Sequence, residues 1–146
     1  MLHLANLEDA PKLLPLVAAC HTETSMEHDD QTRDAGFIPL LEGSPYGCIW
    51  LIGPRKAPVG YVAATFSWSL EFGGLIANIS EIYVRPAVRG RNMGTEALLS
   101  VAKALQSSQV CALYIEVNDA STRLAGLYKR CGFALCDPSN VMRHVL

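Results

Sequence analysis

The 146-residue chain lacks the features that mark several common classes of protein. Its apolar runs fall short of the ~20 residues that a membrane-spanning helix needs, and no basic segment precedes an apolar run at its N-terminus. Its five cysteines are an odd number without a Cys-x-x-Cys pair, which argues against a disulfide framework and against a structural zinc site. Only 18% of the residues are charged and 50% are hydrophobic, which is typical of a folded domain rather than of a disordered chain. We therefore expect a cytoplasmic globular protein that holds no metal and contacts no membrane.

The charge of the chain is small but unevenly distributed. The formal net charge is −2, so the basic surface typical of nucleic-acid binding is not expected. Residues 1–45 contain eight acidic and two basic residues, a net of −6, whereas residues 85–103 contain four basic residues and one acidic residue, a net of +3. This asymmetry indicates either one region that attracts cations and another that attracts anions, or two solvated faces of opposite sign.

Hydrophobic periodicity predicts strands and helices in mixed order, an α/β (α+β) fold. No linker divides the chain, so we predict a single domain over residues 1–146. Helices are predicted at residues 7–20, 34–42, 93–106 and 121–131, with a polar loop or helix start at 21–33. Strands are predicted at residues 2–5, 46–52, 59–68, 75–84, 111–117, 133–136 and 141–146.

A basic loop between a strand that ends near Val84 and a helix that starts near Met93 carries the clearest chemical signal. The N-terminus of a helix offers unpaired N–H groups and the positive end of a dipole. Glycines let a ligand approach that backbone closely, and the nearby arginines add positive charge. The pattern predicts a phosphate or pyrophosphate site, although it matches neither a P-loop nor a dinucleotide fingerprint. The alternative is a solvated loop capped by Asn92. The glycines are Gly90 and Gly94, and the arginines are Arg85, Arg89 and Arg91.

Two segments of the chain resemble the GNAT superfamily of acetyl-CoA-dependent N-acetyltransferases. The segment Val84–Gly94 is similar to the family pattern Val-x-Pro-x-x-Arg-Gly-x-Gly-x-Gly, with Asn92 in place of one glycine. Asparagine tolerates a left-handed backbone better than most residues, so the loop is expected to keep its shape. The family also has an asparagine after its fifth strand and a Leu-Tyr-x-x-x-Gly-Phe helix ending, which match Asn118 and Leu127–Phe133. Ser121 stands where many members have a further asparagine.

The resemblance implies a mostly antiparallel sheet of six to seven strands flanked by about four helices. The fourth and fifth strands, here 75–84 and 111–117, are expected to run parallel and to splay apart, with acetyl-CoA between them. The pyrophosphate would lie on the loop N–H groups, and the pantetheine arm would pair with the backbone of the fourth strand. The cofactor-binding residues that the resemblance implies are Ile82, Tyr83, Val84, Arg89, Gly90, Arg91, Asn92, Met93, Gly94, Thr95, Asn118, Ser121 and Tyr128.

The resemblance also implies direct attack of an amine on the thioester in a ternary complex. Most amines are protonated at neutral pH, so a base must remove a proton, and Glu81 occupies a position where many members keep such an acid. Its alternative role is an ion pair with an arginine. Tyr128 occupies the position of the family tyrosine that protonates the leaving thiolate, and its alternative is a core tyrosine. His21 and His28 are further candidates for a base or for substrate binding.

The acceptor is the least determined part of the prediction. The acidic segment from residue 23 to residue 34 favours a small cationic amine. Acetylation of a protein N-terminus or a lysine remains an alternative, as does a catalytically silent module that binds acyl-CoA. The resemblance further suggests a homodimer, and nothing in the sequence suggests a nucleic-acid partner.

Overall fold

A five-stranded sheet organises the part of the chain that the structure, a computed structural model, describes: residues 1–26, 28–117, 122–136 and 141–146. The strands lie side by side in chain order, antiparallel throughout except for the last pair, which is parallel. This confirms the mixed α/β fold and the parallel fourth and fifth strands. The strands are β1 (Leu2–Leu4), β2 (Gly47–Ile52), β3 (Gly60–Ser69), β4 (Gly74–Val84) and β5 (Ala112–Ile115).

Helices cover both faces of this sheet. On one face, α1 and α2 bury their apolar sides against β2 and β3, and on the other face α3 packs against β3 and β4. The apolar residues of each helix recur every three or four positions and so form the single stripe that a sheet face can cover. The helices are α1 (Ala10–Glu23), α2 (Asp30–Leu41), α3 (Met93–Ser107) and α4 (Arg123–Arg130), with short 3-10 turns at Leu7–Asp9 and Pro86–Val88. No helix among the described residues is long and apolar enough to cross a membrane.

The first two helices extend beyond their predicted limits. A capping box of Asn6 and Asp9 precedes α1, which then runs through Pro15 to Glu23, past the predicted end at residue 20. Asp29 caps the next helix, because its carboxylate accepts a hydrogen bond from the Thr32 N–H at 2.7 Å, so α2 begins four residues early. The segment 21–33 therefore contains the end of one helix and the start of the next. This extension brings the last turn of α1 to the candidate site.

A β-bulge at Ser80 reverses the faces of the sheet on which the side chains at the end of β4 lie. Ala63 pairs with Glu81, but Ala64 pairs with Ile79, which leaves Ser80 as the extra residue. Before the bulge, Ile79 packs on the α3 face; after it, Tyr83 packs on the α1 and α2 face. One extra residue reverses the alternation of a strand, so the bulge directs Glu81 toward α1.

The parallel strands separate at the same point. β4 pairs with β5 only from Ile76 to Ile79, opposite Ala112–Ile115. Residues 81–84 stay paired with β3 but have no β5 partner among the described residues. The predicted splay is thus present, and it leaves backbone groups on one edge of β4 available to a ligand.

The two C-terminal strands predicted at 133–136 and 141–146 do not form, so the described sheet has five strands and not six or seven. Residues 133–136 line a cavity of about 550 Å³ together with β5 and form no ladder with it. The last segment is exposed, with Val141 at 90% and Met142 at 95%. An apolar sequence alone does not make a strand, because a strand also needs a hydrogen-bonding partner.

A methyl group at Gly60 is expected to destabilise the sheet beside the splay. A Cβ at Gly60 would lie 2.1 Å from the Tyr83 carbonyl oxygen, so β3 and β4 would have to move apart. We expect Gly60→Ala to lower the free energy of unfolding by about 1–3 kcal/mol in urea. Gly36→Ala is the matched control: in α2 its Cβ would meet nothing within 4 Å, and it should raise stability by about 0.5–1 kcal/mol. If Gly60→Ala and Gly36→Ala changed the free energy of unfolding by the same amount, the close approach of β3 and β4 at Gly60 would be contradicted.

Candidate active site

A cavity of about 330 Å³ opens where β4 ends and α3 begins. The last turn of α1 borders it on one side and α4 on the other. Arg91 is exposed and does not line the cavity, and Asn118 and Ser121 lie outside the described residues. The remaining predicted cofactor residues all line it: Ile82, Tyr83, Val84, Arg89, Gly90, Asn92, Met93, Gly94, Thr95 and Tyr128.

The loop before α3 turns through two left-handed residues. Gly90 has φ 79° and Asn92 has φ 62°, so Asn92 adopts the conformation expected of it in place of glycine. Asn92 stands at the N-cap position of α3, but its side chain makes no capping hydrogen bond, so the cap expected in the alternative interpretation is absent. Gly94 lies close to α4, because a Cβ there would stand 3.4 Å from Leu127 Cδ1. Met93, Gly94 and Thr95 of the first turn of α3 line the cavity, and the N-cap residue supplies no side-chain hydrogen bond to this turn.

Replacing Asn92 tests this backbone requirement. Asn92→Ala puts a residue with a lower tolerance for the left-handed region at φ 62°, so we expect a loss of about 1 kcal/mol in the free energy of unfolding. Asn92→Gly should be at least as stable as Asn92→Ala, and denaturant titration of the three proteins measures the order. If Asn92→Ala were more stable than both the wild type and Asn92→Gly, the left-handed conformation of residue 92 would be contradicted.

The side chain of Arg89 is held by the protein itself. Its Nε donates to the Val84 carbonyl at 2.7 Å, its Nη2 donates to Glu23 Oε2 at 2.8 Å, and its guanidinium lies 5.5 Å from the Tyr83 ring centroid. The hydrogen bond from Arg89 lowers the pKa of Glu23 below its ordinary value, so the pair is ionised at neutral pH. The positive charge expected from Arg89 is therefore largely offset, and the pair links α1 to the loop.

His21 and Tyr61 hold the side chain of Glu81 by hydrogen bonds. The ion pair with an arginine, which was the alternative role predicted for Glu81, is not present among the described residues. Its Oε1 accepts a hydrogen bond from the Tyr61 hydroxyl at 2.6 Å, and His21 Nε2 lies 2.9 Å from Oε2 and 3.0 Å from Oε1. A carboxylate only accepts hydrogen bonds, so His21 carries its proton on Nε2. The Glu81 side chain keeps 19% exposure, whereas that of His21 keeps only 5%. The carboxylate is thus fixed in place but remains in contact with solvent.

The surroundings of Tyr61 keep its hydroxyl protonated. Burial, followed by the Glu81 charge, raises the pKa of Tyr61 well above its ordinary value, so its hydroxyl remains a donor. Nδ1 of His21 is buried without a hydrogen-bond partner among the described residues. The exposed His28 ring packs edge-on against His21 at 5.3 Å between ring centroids. The two predicted histidines are therefore neighbours, and only His21 contacts Glu81.

Sequence reasoning did not select Tyr61, because its contact with Glu81 depends on the bulge at Ser80 and on the pairing of β3 with β4. The apolar neighbours of Tyr61 indicate only a buried strand. The two arginines of α4 that line the cavity were not selected either, since the resemblance assigns no role to them. Their positive charge, which can be read from the sequence, was the feature that could have identified them as candidates.

Tyr128 is buried and lines the cavity from α4. Its ring packs edge-on against Phe133, with 6.2 Å between centroids, so it is in part the core tyrosine of the alternative interpretation. Its hydroxyl, however, makes no hydrogen bond with the residues that the structure describes. Burial raises the pKa of Tyr128, which keeps this hydroxyl protonated at neutral pH. Tyr128 therefore brings a protonated side chain to the wall of the cavity. No group of described His, Cys, Asp and Glu side chains is arranged to hold a metal ion.

The fold and the family match agree. The model of the acetyltransferase (GNAT) family matches residues 10–133, so the chain belongs to this family. The protein is therefore an acyltransferase of the class that depends on acetyl-CoA. No curated protein matches the sequence significantly.

Solved structures show the same fold over the full length of the chain. An integron cassette protein from the mobile metagenome of Cole Harbour Salt Marsh is 29% identical with a TM-score of 0.86, over 99% of this chain and 90% of that one. A ribosomal-protein-alanine N-acetyltransferase from Brucella melitensis biovar Abortus 2308 is 19% identical with a TM-score of 0.77, over 99% of both chains. An aminoglycoside acetyltransferase from an uncultured soil metagenomic sample is 10% identical with a TM-score of 0.82, over 100% of this chain and 95% of that one.

Proposed function

We propose that the protein transfers an acetyl group from acetyl-CoA to the primary amine of a small cationic molecule, by direct attack in a ternary complex. The observation that carries this proposal is one cavity whose wall includes both the loop before α3 and Tyr128. A thioester bound there through its diphosphate would have a proton donor within the same space.

The loop and the edge of β4 would hold the cofactor. The N–H groups from Gly90 to Thr95 would bind the diphosphate, because the start of α3 has no side-chain cap and carries the positive end of the helix dipole. The Arg89 N–H, predicted to take part, instead donates to the Pro86 carbonyl. The unpaired edge of residues 80–84 would bind the pantetheine amides. Gly94 lies beside Leu127, because a Cβ there would stand 3.4 Å from Leu127 Cδ1, so the loop and α4 are close neighbours.

Glu81 would act as the general base. An ammonium group must lose a proton before it can attack, and a carboxylate can remove that proton directly or through a water molecule. The hydrogen bonds from His21 and Tyr61 fix the orientation of Glu81, and its partial exposure gives water a path to it. The nitrogen would then form the amide bond as the carbon–sulfur bond breaks.

Tyr128 would donate its proton to the departing CoA thiolate. A thiolate is a good leaving group, and protonation prevents the reverse attack on the new amide. The Tyr128 hydroxyl suits this role because it stays protonated and makes no hydrogen bond with a described residue.

The proposed preference for a cationic acceptor rests on the negative charge of residues 1–45. Residues 1–45 carry a net charge of −6, from eight acidic and two basic residues. Part of this charge is engaged locally, since Glu23 pairs with Arg89 and Asp30 pairs with Arg33. The ribosomal-protein and aminoglycoside enzymes are both under 25% identical, so their acceptors do not decide between a protein and a small molecule.

Calorimetric titration with acetyl-CoA tests the proposal, with ATP and NAD as controls. We expect selective binding of acetyl-CoA with a Kd in the micromolar range. A panel of polyamines, basic amino acids, neutral amines and peptides then follows, scored by the mass of the acetylated product. Binding of acetyl-CoA without acetylation of any amine would favour a silent acyl-CoA module instead, and no binding would overturn the proposal.

A further inference from the structure

An apolar patch lies at the end of the sheet opposite the candidate active site. It consists of Trp68 near the end of β3, Leu70 and Phe72 in the turn that follows, and Leu75 near the start of β4, and we call it the hairpin patch. These four residues are 64%, 94%, 48% and 41% exposed. Leu75 and Val84 stand at opposite ends of β4, so the patch is about 30 Å from the candidate active site.

The hairpin patch continues the face of the sheet that α3 covers. Side chains alternate between the two faces of a strand, so Trp68 lies on the same face as Ala64, which is buried in the core on the α3 side, and as Phe66, which packs against that core. Trp68 pairs directly with Leu75 of β4, which shares its face with the buried Ala77. The apolar face of β3 and β4 thus extends beyond the helix that covers the rest of it.

The opposite face at this end of the sheet carries polar side chains. Thr65, Ser67 and Asn78 lie there, and Thr65 Oγ1 is 3.2 Å from Ser80 Oγ. Water can solvate such a face, whereas a contiguous apolar face usually marks an interaction site. Glu71 is the only charged residue between positions 57 and 80 of the sequence. This depletion of charge is typical of the core of a protein–protein interface.

The exposed area of the hairpin patch is close to what a homodimer needs. At about 200 Å² for each large side chain, the exposed fractions amount to roughly 500 Å² of apolar surface. A standard interface buries about 800 Å² on each partner, and about 65% of a homodimer interface is apolar, which is again roughly 500 Å². A two-fold axis brings the same residues of two copies together, so an uncharged apolar patch is complementary to itself.

We propose that the hairpin patch is the interface of a homodimer whose two-fold axis passes close to the turn between β3 and β4. This inference goes beyond the proposed function and does not depend on it. The turn is held in shape before association, because the Phe72 N–H donates to Ser69 Oγ at 3.0 Å and the Gly73 N–H donates to the Ser69 carbonyl at 2.9 Å. A surface that is already ordered loses less conformational entropy when it binds.

The position of the patch favours a second copy of the chain over a protein acceptor. An acceptor docked on the hairpin patch would have to place its amine about 30 Å away, at the far end of β4. In the proposed dimer the two candidate active sites lie at opposite ends of the assembly and stay open to solvent. Each protomer therefore carries a complete site.

Sedimentation velocity between about 0.1 and 100 µM protein gives the dimer Kd, which we expect to be micromolar or tighter. Two variants change the patch: Trp68→Thr/Leu70→Ser removes apolar area, and Leu70→Lys places like charges near the axis. Leu70 is almost fully exposed in the turn, so Leu70→Lys leaves the fold of the protomer intact. Both should weaken the dimer at least about 30-fold. The matched control is Leu4→Thr, since Leu4 is also exposed but lies on the edge strand β1, and its dimer Kd should stay within about threefold of the wild type.

Tryptophan fluorescence locates the interface. The chain has two tryptophans, and Trp50 is buried, so quenching by acrylamide reports mainly on Trp68. We expect quenching of the wild type to fall as its concentration rises through the dimer Kd, and quenching of Leu70→Lys to stay high throughout.

Two kinds of result would overturn the inference. A wild type that stays monomeric at about 100 µM would do so, whether Trp68 is open or is shielded by another segment of the chain. A dimer that both variants leave intact, or in which Trp68 is quenched as readily as in the monomer, would place the interface on another surface. In either case the proposed function stands, because each protomer carries its own site.

Discussion

Replacing Glu81 with glutamine is expected to lower kcat by about 10²- to 10⁴-fold, the range that general base catalysis contributes. Glutamine has nearly the same shape but cannot accept the proton of the attacking ammonium group. Glu81 does not line the cavity of the loop, so the Kd of acetyl-CoA should stay within twofold of the wild type. Steady-state kinetics and calorimetry on the same preparation measure the two quantities.

The partners of Glu81 provide a graded control. Tyr61→Phe removes one of the hydrogen bonds that orient the carboxylate but leaves the carboxylate itself, so kcat should fall by about 10-fold. Raising the pH should partly restore the activity of Glu81→Gln, because a larger fraction of the acceptor amine is then already deprotonated. Retention of more than a tenth of wild-type kcat by Glu81→Gln at neutral pH would exclude Glu81 as the base.

Replacing Tyr128 with phenylalanine is expected to lower kcat by about 10²-fold, with little change in the Kd of acetyl-CoA. The ring and its packing on Phe133 are kept, and only the hydroxyl that makes no hydrogen bond with a described residue is lost. Because burial raises the pKa of Tyr128, the wild type should keep its proton donor until the pH exceeds the ordinary tyrosine value. The alkaline decline in kcat should therefore begin above pH ~10 and be missing from the variant.

Tyr46→Phe is the matched control for this prediction. Tyr46 is 75% exposed and lies away from the cavity, so the loss of its hydroxyl should leave kcat and its pH dependence unchanged. If Tyr128→Phe behaved like Tyr46→Phe, Tyr128 would be only a core residue. The proton for the leaving thiolate would then come from solvent.

Local sequence patterns predicted most of the elements that build the site. The switch from strand to helix between Val84 and Met93 was predicted within a residue, because charge, glycines and periodicity all change there. The left-handed Asn92 was predicted from the tolerance of asparagine for that conformation. The family resemblance, rather than periodicity, supplied the parallel pair of β4 and β5.

Features that depend on contacts between distant segments could not be predicted. The bulge at Ser80 leaves no mark in the sequence, yet it directs Glu81 toward His21 and Tyr61. The last turn of α1 was missed because its polar residues resemble a loop, although Glu23 is stabilised there by Arg89, which lies 66 residues later. The two strands predicted at 133–136 and 141–146 do not form, although their apolar pattern is typical of strands. An apolar pattern does not by itself supply a strand to pair with.

The double variant Glu81→Gln/Tyr128→Phe gives the most direct test that this cavity binds acetyl-CoA and that these two groups carry the proton transfers. Its Kd for acetyl-CoA and its turnover with an accepted amine are measured side by side with those of the wild type. The account predicts a Kd within about threefold of the wild type and a turnover at least about 10³-fold lower. A turnover within tenfold of the wild type, or a loss of acetyl-CoA binding, would contradict it.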